Sequence, residues 1–214
     1  DFVKHTDRLE SSNIIGVLEG TDLKDEFLVI TAHYDHLGRL GKNTLFAGAN
    51  DNASGTSMIM DLARFYTRPE NRIGKSILFI AFAGEEAGLL GSKHYTEAPL
   101  FRLDHIRFLL NLDLMGNGEE GLMVVNGTVF PNEFSLLDSL NQQSKGIKTI
   151  GKRGTAKNSD HYWFSEKGVP AFFFYTNGGS KAYHDIYDVP AQLPLTEFDD
   201  IKKLIVGFAG ELGR

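Results

Sequence analysis

The chain of 214 residues contains no cysteine, which excludes both a disulfide framework and metal binding through thiolates. It also lacks any apolar run near the roughly 20 residues that a transmembrane helix requires, so no membrane span is predicted. Basic residues number 22 against 28 acidic ones and are scattered, which leaves a net charge of −6. Because phosphate binding requires clustered lysine and arginine, we do not expect nucleic acid as a partner.

The residues that are present have the composition of an ordinary globular protein, with 42% hydrophobic and 23% charged side chains. A chain of this length buries about 70% of its unfolded surface when it folds. No internal repeat, low-complexity tract or linker divides the sequence. We therefore predict one domain over residues 1–214.

Short apolar runs alternate along the chain with helical patterns. Most of the runs are continuously apolar, which is typical of strands covered on both faces; they lie at 13–18, 27–32, 76–83, 107–114, 122–126 and 171–176. Apolar residues spaced three and four apart predict helices over 54–66, 132–145 and 195–212, the first with Ser54 as its N-cap. This alternation predicts an α/β fold with three αβα layers: a mostly parallel, mixed sheet with helices on both faces.

Carboxylate and imidazole side chains occur at five places where an apolar stretch gives way to a turn. In sheets of this kind, ligands bind outside the carboxyl ends of the strands. The segments are His33-Tyr34-Asp35-His36, Gly48-Ala49-Asn50-Asp51-Asn52, Ala83-Gly84-Glu85-Glu86, Asn111-Leu112-Asp113 and Tyr183-His184-Asp185. One such segment is most often a solvated turn. Five of them on one side of a sheet indicate a metal site.

The residue types at these places suit particular ions and roles. Nitrogen and oxygen ligands without sulfur are typical of zinc, cobalt or manganese sites. His33 and Asp35 are two residues apart and point the same way on an extended strand, so Asp35 can order a metal-bound His33. The Asp51 carboxylate can reach two ions, one through each oxygen. Glu85 and Glu86 diverge as neighbours, so one can bind metal while the other acts as a free base.

These segments, in this order, closely resemble metallopeptidase family 28, the two-zinc aminopeptidases. The likeness continues through Phe82-Ala83-Gly84-Glu85-Glu86-Ala87-Gly88-Leu89-Leu90-Gly91-Ser92, then Ser159-Asp160-His161 and Gly168-Val169-Pro170-Ala171. It extends from about residue 13 to the C-terminus. The resemblance implies a zinc-aminopeptidase fold and a single catalytic domain over 1–214, with a shorter N-terminus than is usual in the family.

The resemblance also implies a set of metal ligands. It implies two zinc ions, with cobalt or manganese as substitutes, and Asp51 as the bridge between them. His33 and Asp113 would complete the protein ligands of one ion. Glu86 and His184 would complete those of the other.

Further roles follow from the same resemblance. Glu85 is similar to the general base of the family, and Asp35 to the residue that orders the neighbouring histidine ligand. Asp160 resembles a buried support residue. His36 and His161 are expected to be structural or rim residues.

The activity that the resemblance implies is removal of the N-terminal residue from a peptide with a free N-terminus. Related metal sites occur in carboxypeptidases and dipeptidases. Glutaminyl cyclases are also similar, but they use one zinc ion and typically lack the histidine that His33 supplies here. A non-catalytic binding domain on the peptidase fold is a further alternative, although such domains generally lose ligands or the base. Frequent export of the family in bacteria predicts a periplasmic or extracellular location, and the oligomeric state stays open.

Overall fold

The computed structural model describes residues 10–179 and 181–214, and these form nine strands and five α-helices. The strands are β1 (Ile14–Leu18), β2 (Leu23–His33), β3 (Gly38–Leu40), β4 (Thr44–Phe46), β5 (Lys75–Phe82), β6 (Ile106–Leu112), β7 (Gly121–Val125), β8 (Ile150–Lys152) and β9 (Ala171–Asn177). The helices are α1 (Gly55–Tyr66), α2 (Leu90–Glu97), α3 (Pro131–Ser144), α4 (His161–Glu166) and α5 (Phe198–Leu212). None of these helices combines the length and the apolar composition needed to cross a bilayer.

Seven of the strands form one sheet in the order β1-β5-β2-β6-β9-β7-β8, while β3 and β4 pair separately as a hairpin. The four central strands β5, β2, β6 and β9 are parallel to their neighbours within that group. The outer strand β1 is antiparallel to β5, and β7 is antiparallel to β9. The predicted mostly parallel, mixed sheet is confirmed.

Helices cover both faces of the sheet, as the continuously apolar strands predict. All eight residues of β5 are buried, and alternate side chains enter opposite layers. Ile77 and Phe79 lie in a core shared with α1, α3 and α5. Leu78 and Ile80 lie in a second core, which includes Tyr95 of α2 and Phe164 of α4. The three-layer αβα arrangement is therefore confirmed.

Two details of the sequence prediction are wrong. Ser54 does not cap α1, because its own backbone is already helical and its hydroxyl donates back to the carbonyl oxygen of Asn50 at 2.6 Å. Leu195 does not begin the last helix, because its φ of 53° is outside the right-handed helical region. That helix, α5, begins at Phe198. The prediction also missed β3, β4, β8, α2 and α4, which are too short for a clear apolar period.

The parallel strands place three of the five polar segments at one edge of the sheet. His33 is the last residue of β2, and Asp113 directly follows β6. Glu85 and Glu86 follow the end of β5 within four residues. Because β5, β2 and β6 are adjacent and parallel, their carboxyl ends lie side by side and bring these segments together.

Candidate metal centre

The first of two clusters of nitrogen and oxygen atoms at this edge is built around His33. His33 Nε2 lies 3.3 Å from Asp51 Oδ1 and 3.4 Å from Asp113 Oδ2. The His33 side chain is 1% exposed, so the cluster is enclosed by protein. Burial lowers the pKa of His33, but hydrogen bonds to the neighbouring aspartates outweigh it and raise this pKa far above its usual range; these are Asp113, Asp35 and Asp51. The cluster therefore carries strong negative charge around one imidazole.

The second cluster shares Asp51 with the first. His184 Nε2 lies 3.1 Å from Asp51 Oδ2 and 3.1 Å from Glu86 Oε2. The His184 side chain, with 37% of its surface exposed, is the most accessible of the three, and its ring stacks on Tyr183 with centroids 3.9 Å apart. Asp51 thus directs one carboxylate oxygen into each cluster, and all five predicted ligands are brought together.

The arrangement of these atoms fits metal ions in both clusters. Donors at 2.0–2.2 Å from a tetrahedral zinc ion lie about 3.3 Å or slightly more from one another. The four N···O distances here are 3.1–3.4 Å. In addition, Asp51 Oδ2 and Asp113 Oδ1 are buried and accept no hydrogen bond within the described part of the chain. A buried carboxylate oxygen without a donor is costly, and a bound cation would compensate it.

Glu85 lies beside the first cluster, with ligand-type atoms of Glu85, His33 and Asp113 all within 4.8 Å of one another. Burial raises the pKa of Glu85 to about 8. The nearby His33 opposes this shift, and the carboxylates of Asp160, Asp113 and Glu86 add to it. A metal ion in the cluster would lower this pKa again, because a cation favours the ionised carboxylate. The proton affinity of Glu85 therefore depends on whether the first cluster binds a metal ion.

Asp35 holds the turn that carries Glu85 and Glu86. Its Oδ1 accepts the N–H of Glu85 at 3.1 Å, and its Oδ2 accepts the N–H of Glu86 at 3.2 Å. His33 Nδ1 lies 3.1 Å from the main-chain carbonyl oxygen of Asp35 and 3.7 Å from its carboxylate. Burial raises the pKa of Asp35, but hydrogen bonds from His33 and from the two amides outweigh it and lower the pKa overall. Asp35 therefore contacts both His33 and the glutamate turn.

A series of buried hydrogen bonds ends at the carboxylate of Asp113. Thr31 Oγ1 donates to Asn111 Oδ1 at 2.7 Å, and Asn111 Nδ2 donates to Ser159 Oγ at 2.7 Å. Ser159 Oγ then donates to Asp113 Oδ2 at 3.0 Å. Each hydroxyl or amide in this series has its donor and acceptor roles fixed by its neighbours. These hydrogen bonds therefore restrain the Asp113 carboxylate through Oδ2, the oxygen that also faces His33.

Of the remaining predicted residues, Asp160 and His161 lie around the clusters, and a ring nitrogen of His36 lies within 4.8 Å of the carboxylate oxygens in the second cluster. Asp160 is fully buried, and burial raises its pKa to about 7. His161 is also buried, which lowers its pKa to about 4 and keeps the ring neutral at pH 7. His36 Nδ1 lies 2.8 Å from Glu86 Oε1. The His36 ring packs on Gly48, where a Cβ would lie 2.6 Å from His36 Cγ.

An open cavity of about 880 Å³ adjoins the second cluster. Its lining includes the polar residues Asp35, His36 and Glu86 and the apolar residues Leu37 and Leu90. Its size is within the range of small-molecule and peptide sites. The second cluster is therefore accessible from solvent on this side through Glu86.

One site residue was missed by sequence reasoning. Asp188 is 4% exposed, and its carboxylate accepts the amides of Asn50 and Asp51. Its only sequence signal is a position four residues after His184, which does not by itself distinguish it from other aspartates in loops.

Comparisons with known proteins find relatives among peptidases. A sequence profile of peptidase family M28 matches residues 13–209. Aminopeptidase YwaD of Bacillus subtilis (strain 168) is 41% identical over 115 residues, which cover 51% of this chain and 23% of YwaD. The probable aminopeptidase YDR415C of Saccharomyces cerevisiae is 27% identical over 232 residues, which cover 99% of this chain and 60% of the yeast protein.

A solved structure has a fold similar to that of this chain. BSAP, a zinc aminopeptidase from Bacillus subtilis, superposes with a TM-score of 0.77 at 27% sequence identity. The superposition covers 93% of this chain and 49% of the BSAP chain. This chain thus spans about half the length of that structure, and its matches cover 23% of YwaD and 60% of the yeast protein. Because the family profile covers almost the whole sequence, the chain belongs to peptidase family M28.

Proposed function

We propose that this chain is the catalytic domain of a dinuclear zinc aminopeptidase with Glu85 as its general base. The observation that carries the proposal is the division of the Asp51 carboxylate, whose two oxygens lie in two different clusters of donors. Each cluster then has three protein donors, which leaves coordination positions open for water and substrate. The names of YwaD and BSAP as aminopeptidases support the same activity.

Zinc in such a site, when bound, lowers the pKa of a water molecule and polarises the carbonyl group of the scissile bond. Glu85 is placed beside the first cluster, where it can take one proton from the attacking water. As the bond between the carbonyl carbon and the nitrogen breaks, Glu85 returns that proton to the departing amine. Asp35 accepts the amides of Glu85 and Glu86 and so restrains the turn that carries both side chains.

We further propose that the substrate is a peptide with a free N-terminus and that cobalt or manganese can replace zinc. A periplasmic or extracellular location and a single catalytic domain over residues 1–214 stay predictions. The runner-up activity is that of a single-zinc glutaminyl cyclase. The enclosed cluster of His33, Asp51 and Asp113 favours the two-ion hydrolase over it, because a complete donor set is present at the position of the first ion.

The test combines turnover with metal content. The purified protein is incubated with a panel of aminoacyl-p-nitroanilides, with and without a chelator, and then with added zinc. Chelator-sensitive release and two zinc ions per chain are expected. One tightly held ion, together with cyclisation of a peptide that begins with glutamine, would favour the cyclase instead. Absence of release across the whole panel would count against the aminopeptidase.

A substitution separates an enzyme from a binding domain. Glu85→Gln should lose most turnover and keep its zinc, because the amide cannot accept the proton and Glu85 is not among the proposed ligands. Glu70→Gln is a matched control at an exposed position in the short turn Pro69–Asn71. Equal activity of the two variants would contradict the role assigned to Glu85.

A further inference from the structure

Asp188 joins two loops that are far apart in the sequence. Its Oδ1 accepts the N–H of Asn50 at 2.8 Å, and its Oδ2 accepts the N–H of Asp51 at 3.0 Å. Its main-chain carbonyl oxygen accepts the N–H of Ala49 at 3.2 Å. Three consecutive amides of the segment Ala49–Ser54 therefore depend on this single residue.

The segment that Asp188 holds has an irregular backbone. Asp51 (φ −111°, ψ 89°) and Asn52 (φ −136°, ψ 42°) are not helical, although helical turns surround them. A regular helix would satisfy successive amides through its own carbonyl groups, but an irregular turn requires acceptors from elsewhere. The other end of the segment is held separately, where Asn52 Nδ2 donates to the carbonyl oxygen of Leu112 at 3.0 Å. Asp188 thus determines where the N-terminal part of the turn lies.

Asp188 is itself fixed to the loop that carries His184. The N–H of Asp188 donates to the carbonyl oxygen of Asp185 at 3.1 Å, within a turn that directly follows His184. His184 and Asp51 face each other across 3.1 Å in the second cluster. The Asp188 contacts therefore set the distance between the loop that carries Asp51 and the loop that carries His184.

We propose that Asp188 is a positioning residue that holds Asp51 so that each of its carboxylate oxygens reaches a different cluster. A carboxylate is required because two N–H groups approach its two oxygens, and an asparagine offers only one acceptor there. The N–H groups of Asn50 and Asp51 stabilise the negative charge of this carboxylate. The inference rests on the proposed function only in requiring that the clusters bind zinc.

The test replaces Asp188 by asparagine and compares it with Asp185→Asn. Asp185 belongs to the same loop and is exposed, and its carboxylate accepts one local amide, that of Tyr187 at 3.0 Å. Zinc affinity is measured on the metal-free proteins by titration against a chromophoric chelator. Asp188→Asn should bind both zinc ions about 10–100-fold more weakly, the size typical of losing a partner behind a ligand. Asp185→Asn should match the wild type.

A spectroscopic readout separates positioning from general stability. In the cobalt-substituted proteins, the visible absorption bands of the ion report ligand geometry. Asp188→Asn should change these bands at both ions, because Asp51 would contribute to both, while Asp185→Asn should leave them unchanged. Aminopeptidase turnover should fall in Asp188→Asn with little change in KM. Wild-type affinity and an unchanged cobalt spectrum in Asp188→Asn would overturn the inference.

A measurement on the wild type covers the case in which the asparagine variant does not fold. Hydrogen exchange of the Asn50 and Asp51 amides should be slow in the metal-free protein, because Asp188 already holds them. Rapid exchange at both amides would overturn the inference. A wild type that binds two zinc ions without any peptidase activity would contradict the proposed function and leave the test of Asp188 intact.

Discussion

The charge of Glu85 should reduce the stability of the metal-free protein as the pH rises. Its pKa of about 8 in the folded protein lies above the ordinary value of 4.5, so the folded chain binds the proton more tightly than the unfolded chain. Between these two values the unfolding free energy therefore falls with increasing pH, and above about pH 8 it levels off. Glu85→Gln removes this titration, so the variant should gain stability relative to the wild type over the same range.

The size of the effect follows from the same two values. At 1.36 kcal/mol per pH unit, the difference between 4.5 and about 8 corresponds to about 5 kcal/mol for an enclosed carboxyl group. Glu85 is partly exposed, so solvent screening reduces the expected gain to about 2–3 kcal/mol at pH 9. Near pH 4.5 the two proteins should have almost equal stability.

The assay is urea unfolding of chelator-stripped wild type and Glu85→Gln at pH 5, 7 and 9. Zinc-loaded samples form the control, because a cation near Glu85 favours its ionised form and should shrink the difference. The same variant in its zinc form should turn over peptides about 10²–10⁴-fold more slowly, the usual contribution of a general base. A constant stability difference from pH 5 to pH 9 would refute the raised pKa, and wild-type turnover would refute the proton transfer.

Three further outcomes are expected. Asp51→Asn should weaken zinc binding at both clusters together, whereas loss of one ion alone by elemental analysis would contradict a shared carboxylate. Gly48→Ala should lower the unfolding free energy by at least about 2 kcal/mol, because its φ of 64° disfavours a side chain and the new Cβ would lie 2.4 Å from the Asp51 carbonyl oxygen. Gly16→Ala, with open space around it, is the control, and equal melting temperatures would contradict the packing. Zinc at 100 times its dissociation constant should stabilise the wild type by about 2.7 kcal/mol, so a melting temperature insensitive to chelator would contradict metal binding by the folded state.

The central strands of the sheet were predictable because their buried parts are apolar runs. Residues 77–82 of β5 are all buried, and the sequence shows them directly as such a run. Short elements carry no comparable signal, since α2 and α4 have only eight and six residues and do not complete a clear apolar stripe. The start of α5 depends on the backbone angle of Leu195, and an apolar pattern contains no information about that angle.

The site was predictable as far as it depends on strand ends. His33 and Asp113 end or follow adjacent parallel strands, so the sheet topology alone brings them together. Contacts to main-chain amides could not be predicted in the same way. The Asp35 carboxylate contacts the amides of Glu85 and Glu86, and any residue type could have supplied those amides. The contacts of Asp188 with the amides of Asn50 and Asp51 could not be predicted for the same reason.

The parallel register of β2, β5 and β6 also determines when an ion can be captured during folding. Parallel neighbours are joined by long crossover connections, so their pairing is a late and slow event compared with the formation of local helices. The donor atoms at the ends of these three strands come together only after the centre of the sheet has assembled. Zinc uptake would then mark the completion of folding, and it should lag behind the appearance of helical circular dichroism when the denatured chain is diluted into zinc buffer.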